Sequence, residues 1–191
     1  TKPTQHSVKT LMESGISADI IVCRTEHELS EDLKEKLALF CNVKREAIIQ
    51  SIDVETIYDV PLKMLNEGLD SEVLKKLNLK PIQSHNLKPW NEFLKRFKNP
   101  RNKIKVGLVG KYVELQDSYK SILESLIHAG ADNETEIEVI SLHSEKIDKK
   151  TVQERIRYLN GIIVAPGFGE RGIEGKIIAI EYARINKIPF F

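Results

Sequence analysis

Residues 164–176 read VAPGFGERGIEGK, a stretch in which four glycines interrupt an otherwise regular strand-to-helix pattern. An apolar run, GIIVA at 161–165, leads into it, and a helix-like run at 177–185 follows it. Its glycines are favoured where the backbone needs a positive φ or must approach a ligand closely. The stretch is therefore either a plain strand-to-helix turn or a turn that directs backbone N–H groups at an anion or a developing oxyanion.

The same alternation of strand and helix extends over the second part of the chain. We predict strands at 104–110, 135–142 and 161–165, helices at 118–128, 150–159 and 177–185, and the beginning of a fourth strand at 188. This pattern predicts a parallel sheet flanked by helices. Loops that follow parallel strands meet at one edge of the sheet. We therefore expect the loop Gly110-Lys111-Tyr112 to share a crevice with the turn at Gly167.

The first part of the chain predicts a second α/β unit. Apolar runs at 20–23 and 47–52 are typical of buried parallel strands. Ser30 is expected to cap a helix whose core side carries Leu33, Leu37 and Phe40. Residues 1–5 are expected to be irregular, because a proline stands third in the chain.

Three basic residues of this first unit stand beside predicted strand or helix ends, namely Lys2, Arg24 and Lys36. Such groups bind phosphates by neutralising charge and donating strong hydrogen bonds. Solvated surface cations are the alternative for each of them, and the pattern alone leaves both interpretations open.

The chain is predicted to be of the α/β class, with two parallel-sheet, three-layer units joined by a linker. Residues 80–103 contain prolines at 81, 89 and 100 together with several Asn and Lys residues, and a helix with an aromatic side at 90–97. The expected domains are therefore 1–79 and 104–191, with an interdomain linker at 80–103.

Composition limits the function classes. The 191 residues carry a net charge of +1, so no strongly basic surface favours nucleic acid, and no apolar span predicts a membrane helix. Cys23 and Cys41 lack metal-ligand spacing, and we interpret them as buried, reduced thiols of a cytoplasmic protein. No metal site is expected within this chain.

Several segments resemble the CTP synthase family. TKPTQHSV at 1–8, Cys23-Arg24 and KLALFCNV at 36–43 look like the later half of its synthetase domain. VGLVGKY at 106–112, Tyr119-Lys120-Ser121 and PGFGERGIEGK at 166–176 look like the first half of its class I glutamine amidotransferase domain. The resemblance covers essentially the whole chain. It implies a P-loop-like nucleotide-binding unit and a flavodoxin-like unit, both incomplete.

The resemblance implies a glutamine-hydrolysing ligase. Ammonia from glutamine would reach the synthetase domain, where UTP activated by ATP is aminated to CTP. Mg²⁺ would assist, GTP would activate, CTP would inhibit, and the protein would form a homotetramer or filament. Family positions match Thr1, Lys2, Pro3, Thr4, Gln5 and Lys36 to the UTP/CTP site, and Arg24, Ile52, Asp53 and Val54 to the ATP site. Phe40 is a candidate for stacking on CTP.

In the amidotransferase part, the resemblance assigns glutamine contacts and the oxyanion hole to Gly167, with Phe168 beside it, and the lining of the same pocket to Gly110, Lys111 and Tyr112. The nucleophilic Cys with its His and Glu partners is expected beyond Phe191, and the phosphate loop and Mg²⁺ carboxylates before Thr1. The chain by itself is therefore expected to run neither half-reaction. Two alternatives stay open: an inactive nucleotide-binding and assembly module, and the glutaminase half of another amidotransferase.

Overall fold

The computed structural model describes residues 2–81, 85–167 and 169–191. The described residues fall into two compact units that divide between residues 86 and 87. Each unit contains a parallel sheet with helices around it, which confirms the predicted α/β class.

The first unit is built on a two-stranded parallel sheet. Strand β1 (Ile21–Thr25) pairs in parallel with β2 (Ile48–Ile52), and Arg24 lies opposite Ser51. The helices are α1 (Lys2–Glu13), α2 (Glu31–Cys41), α3 (Val60–Asn66) and α4 (Leu69–Lys76), with 3₁₀ turns at Arg45–Ala47 and Ile57–Asp59. Val8 of α1 packs with Leu37, Ala38 and Cys41 of α2 and with Ile21 and Ile48 of the sheet.

Helix α1 begins earlier than the sequence predicts. It starts at Lys2, because Pro3 falls in the first turn, where its missing N–H has no intrahelical role. The expectation of an irregular segment at 2–5 is therefore wrong.

The buried face of α2 also differs from the prediction. Ser30 caps the helix as expected, since its side chain accepts a hydrogen bond from the Leu33 N–H. The buried residues are Lys34, Leu37, Ala38 and Cys41, whereas Phe40 is 60% exposed. Lys34 can be buried because its Nζ lies 3.6 Å from a carboxylate oxygen of Glu31 and 3.8 Å from one of Glu67.

The two cysteines are free thiols. Cys41 is buried, as predicted, but Cys23 is only partly buried, which corrects that part of the prediction.

The second unit is built on a three-stranded parallel sheet. Its order is β4 (Thr135–His143), β3 (Asn102–Gly110), β5 (Gly161–Val164), and Phe190 makes a further parallel bridge to Ile162. The strands β3 and β5 are in register from Val106–Gly161 to Val109–Val164. The loops after both strands therefore start from one edge of the sheet, as predicted.

Helices cover this sheet. They are α5 (Lys88–Lys98), α6 (Lys120–Asp132), α7 (Val152–Ile156) and α8 (Ile173–Ile185), with 3₁₀ turns at Gln116–Tyr119 and Ser144–Lys146. One apolar cluster joins strands β3, β4 and β5 to α7 and α8 through Val109, Leu142, Ile162, Ile156, Ala179 and Ala183. A second cluster contains Leu108 of β3, Tyr119 and Ala165, which is the first residue after β5. The strand end before one loop and the first residue of the other are therefore anchored in the core.

Candidate functional site

The glycine-rich turn after β5 lies directly against Lys111, the first residue after β3. A Cβ atom added to Gly167 would stand 3.2 Å from the Cε atom of Lys111 and 3.9 Å from its Nζ atom. Lys111 is buried, with 7% of its surface exposed. The side chain of Lys111 thus lies close against the backbone of Gly167, and the two loops meet at this point.

Tyr119 holds the loop after β3. Its hydroxyl accepts hydrogen bonds from the backbone N–H groups of Lys111, at 3.2 Å, and of Tyr112, at 3.3 Å. A Cβ atom at Gly110 would lie only 2.5 Å from that hydroxyl. Gly110 is therefore required for this close approach, and Tyr119 fixes the backbone on which Lys111 and Tyr112 stand.

Lys176, in the first turns of α8, reaches back to the same place. Its Nζ donates a 2.7 Å hydrogen bond to the Ala165 carbonyl, and it lies 3.5 Å from the Cβ position of Gly167. Burial lowers the pKa of Lys176, and the positive charge of Lys111 lowers it further. Two ammonium groups therefore stand against the Gly167 turn, an arrangement that favours an anion there.

The far end of the turn is held by Arg171. Its Nε lies 2.7 Å from Oε1 of Glu145, and its guanidinium lies over the Tyr112 ring at 5.4 Å from the centroid. The Lys111 Nζ is 5.7 Å from the centroid of the same ring. Tyr112 thus contacts cations from both loops, with cation–π attraction to each.

In the first unit, the predicted ATP residues line one cleft of about 410 Å³. Its lining includes Arg24, Ser51, Ile52, Asp53 and Val54. The Arg24 Nε donates a 2.8 Å hydrogen bond to Oδ1 of Asp53, and this bond holds the pKa of Arg24 above its ordinary value. The Asp53 N–H donates to the Thr25 carbonyl, so the turn after β2 is tied to the end of β1. All four predicted residues are therefore brought together.

The described residues that are predicted to bind UTP and CTP lie on two helices, α1 and α2. Lys2 and Pro3 are exposed and Thr4 and Gln5 half-buried at the start of α1, and Lys36 is exposed on α2. Val8 packs α1 against Leu37, Ala38 and Cys41 of α2. Thr1 and Phe168, which also belong to the predicted sites, lie outside the described residues.

Four residues that the structure places around the Lys111 loop and the Gly167 turn were not predicted as site residues from the sequence. They are Tyr119, Glu145, Arg171 and Lys176. Arg171 and Lys176 stand within the glycine-rich stretch itself, so proximity in sequence could have indicated them. Glu145 carries no local signal, because it comes from the turn after β4.

Over the described ranges, no group of three or more His, Cys, Asp or Glu side chains is arranged to hold a metal ion. Among the same residues, no helix has the length and apolar character needed to cross a bilayer.

Two family models match the chain. Residues 1–79 match the model described as CTP synthase N-terminus, and residues 114–191 match the model of class-I glutamine amidotransferases.

Relatives match over its full length. CTP synthase from Flavobacterium psychrophilum is 68% identical over 190 residues, which cover 100% of this chain and 35% of that protein. CTP synthase from Methanocaldococcus jannaschii is 53% identical over 196 residues, covering 100% of this chain and 36% of that protein. The chain therefore spans about a third of the length of the curated relatives it matches.

A solved structure of a Trypanosoma brucei CTPS glutaminase domain with bound acivicin is 30% identical, with a TM-score of 0.43. The match covers 46% of this chain and 35% of that one.

Proposed function

This chain belongs to the CTP synthase family, and we propose that the protein containing it aminates UTP to CTP with ATP and with ammonia from glutamine. The observation that carries this proposal is the close approach of Gly167 to Lys111 at the shared edge of β3 and β5. It supports a glutamine site in a chain that matches CTP synthases throughout.

In the proposed glutamine site, the backbone at Gly167 stabilises the oxyanion that forms when the amide of glutamine is attacked. Lys111 and Lys176 would make the surroundings of that anion positive. Gly110 and Tyr112 are proposed to line the same pocket. Phe168 is proposed to lie beside the substrate. Both cysteines of this chain stand in the first unit, and the proposal assigns the nucleophilic role to neither of them.

In the proposed nucleotide sites, Arg24 and the turn at 52–54 contact ATP. The cleft that these residues line supports this role. Thr1, Lys2, Pro3, Thr4, Gln5 and Lys36 contact the triphosphate or base of UTP and CTP. Lys2 and Lys36 are exposed, so both are available to donate charge-assisted hydrogen bonds to phosphate oxygens.

The remaining proposals follow from the family. The protein is a cytoplasmic homotetramer or filament-forming enzyme activated by GTP, with domains at 1–79 and 104–191 and a linker at 80–103. Mg²⁺ assists the ATP chemistry, but the described residues provide no ligand cluster for it, so no step is assigned to Mg²⁺ within this chain.

The proposal is tested by incubating the complete protein with UTP, ATP, Mg²⁺ and glutamine and measuring nucleotides by anion-exchange chromatography. We expect CTP and glutamate to accumulate together. Tight binding of UTP and CTP without any turnover would contradict the proposal and would indicate a nucleotide-binding module.

Replacing Lys2 or Lys36 with alanine is expected to raise the KM for UTP and weaken inhibition by CTP about tenfold or more, because each change removes a charge-assisted hydrogen bond. Steady-state kinetics with varied UTP measure this, and glutamine hydrolysis should persist. Lys9→Ala is the matched control on α1, since Lys9 is exposed and lies near Glu13. Unchanged UTP kinetics in both variants would exclude the assignment.

Replacing Arg24 with methionine is expected to raise the KM for ATP about tenfold while changing the KM for UTP little, because the substitution removes the cation of the ATP cleft and its bond to Asp53. Varied-ATP kinetics measure the effect. Arg45→Met, which breaks an ion pair with Glu31 elsewhere in this unit, is the control. Equal effects of the two variants would show that Arg24 acts through the stability of the unit.

A further inference from the structure

Lys176 makes a contact that joins the start of α8 to the end of β5. Its side chain crosses eleven positions of sequence to donate a 2.7 Å hydrogen bond to the Ala165 carbonyl, and it is half-buried in doing so. Ala165 is the first residue after β5, and Lys176 lies in the first turn of α8. The hydrogen bond therefore connects the two ends of the glycine-rich segment between them.

Ala165 is held from both sides. Its N–H donates to the Val109 carbonyl at 2.8 Å, and its own carbonyl accepts from Lys176. Ala165 is also almost completely buried, at 1% exposure. The peptide two residues before Gly167 is therefore fixed by β3 on one side and by α8 on the other.

A lysine is an unfavourable choice at this position unless it has a specific role. Lys176 is the fourth residue of α8, where the positive end of the helix dipole opposes a cation. Burial and the nearby Lys111 also oppose its charged form, which lowers its pKa. A methionine would fill similar space without these costs, but it could not donate to Ala165.

We propose that Lys176 is a positioning residue of the glutamine site, which clamps the Ala165 carbonyl and so sets the backbone of Gly167 for oxyanion stabilisation. This inference rests on the proposed function for its catalytic consequence, and on geometry alone for the clamp. The clamp and the catalytic consequence can therefore be tested separately.

The experiment compares Lys176→Met, Lys176→Arg and Lys149→Met with the wild type in the complete protein. Lys149 is an exposed lysine of the same unit and is the matched control. Hydrogen exchange followed by mass spectrometry over residues 161–170 measures the clamp. Turnover with glutamine and with free ammonia, each with the KM separated from kcat, measures its consequence.

In Lys176→Met we expect exchange at the Ala165 amide to rise about tenfold. The glutamine-dependent kcat should fall between about tenfold and a hundredfold, as expected when a reacting group is misplaced by up to about 1 Å. The KM for glutamine should change less, and ammonia-dependent turnover should change less than twofold. Lys176→Arg, which keeps a charged donor, should recover most of both effects.

Unchanged hydrogen exchange in Lys176→Met would show that Lys176 does not hold the backbone at Ala165, and the proposal would be wrong. Faster exchange with an unchanged glutamine-dependent kcat would overturn the positioning role. Failure of the proposed function has a different signature, because the wild-type protein would then form no CTP from either nitrogen source.

Discussion

Replacing Gly167 with valine is expected to lower glutamine-dependent CTP formation by about a hundredfold or more, since loss of one oxyanion-hole donor has an effect of that size. A Cβ atom at this position already lies 3.2 Å from Cε of Lys111 and 3.5 Å from Nζ of Lys176, so the two branches of valine displace a lysine or the turn itself. The measurement is kcat/KM with varied glutamine.

Free ammonia provides the control for this substitution. In the proposed reaction, ammonia bypasses glutamine hydrolysis, and the residues proposed to contact nucleotides belong to the first unit. Ammonia-dependent turnover of Gly167→Val should therefore stay within about twofold of the wild type. An equal loss with both nitrogen sources would mean that Gly167 acts through folding, and the oxyanion assignment would then be wrong.

Replacing Gly175 with alanine is expected to destabilise the second unit by about 2 kcal/mol. The new Cβ atom would lie 1.8 Å from the Ser144 carbonyl oxygen and 3.0 Å from that of Ile147, and neither backbone atom can rotate away. Overpacking of this kind costs about 3 kcal/mol, whereas alanine gains only about 1 kcal/mol over glycine in a helix. The steric term therefore dominates.

Urea unfolding monitored by circular dichroism measures this effect as a lower midpoint. Glu181→Ala is the control in the same helix, where an exposed substitution should change the free energy of unfolding by less than about 0.5 kcal/mol. A Gly175→Ala protein as stable as the wild type would show that α8 does not pack on the 144–146 turn as closely as the structure indicates.

The sheet of the second unit could be predicted because β3 and β5 carry apolar runs that lead to a glycine or a proline, and because β4 alternates between polar and apolar residues. Strands β3 and β5 lie within one or two residues of the predicted bounds, and their parallel pairing follows from the intervening helices. The meeting of the Lys111 loop with the Gly167 turn follows from that pairing alone.

The helix bounds were less predictable, because a glycine can lie inside a helix as well as end it, and a short polar side chain can hold a turn as well as cap a helix. Helix α8 begins at Ile173 and not at 177, since Gly175 lies inside the helix to make room for Ser144. Helix α7 covers only Val152–Ile156. It begins after residue 150 because Asp148 accepts hydrogen bonds from the Lys150 and Thr151 N–H groups and holds a turn there.

The candidate site was only partly predictable, since some of its contacts are tertiary. Tyr119 lies against Gly110, and Glu145 pairs with Arg171. No local sequence pattern indicates that these segments are close together in the fold. Lys34 shows the same limit in the first unit: its burial depends on Glu67, which lies thirty-three residues away in sequence.

The transfer of nitrogen from glutamine to UTP is tested most directly by following the amide nitrogen of glutamine. The complete protein is supplied with UTP, ATP, Mg²⁺ and glutamine labelled with ¹⁵N in the amide, and the CTP formed is examined by mass spectrometry. If the protein aminates UTP with nitrogen from glutamine, the CTP will carry one ¹⁵N, in the amino group that replaces the 4-oxygen of UTP. Glutamate released without labelled CTP, or UTP left unchanged, would contradict it.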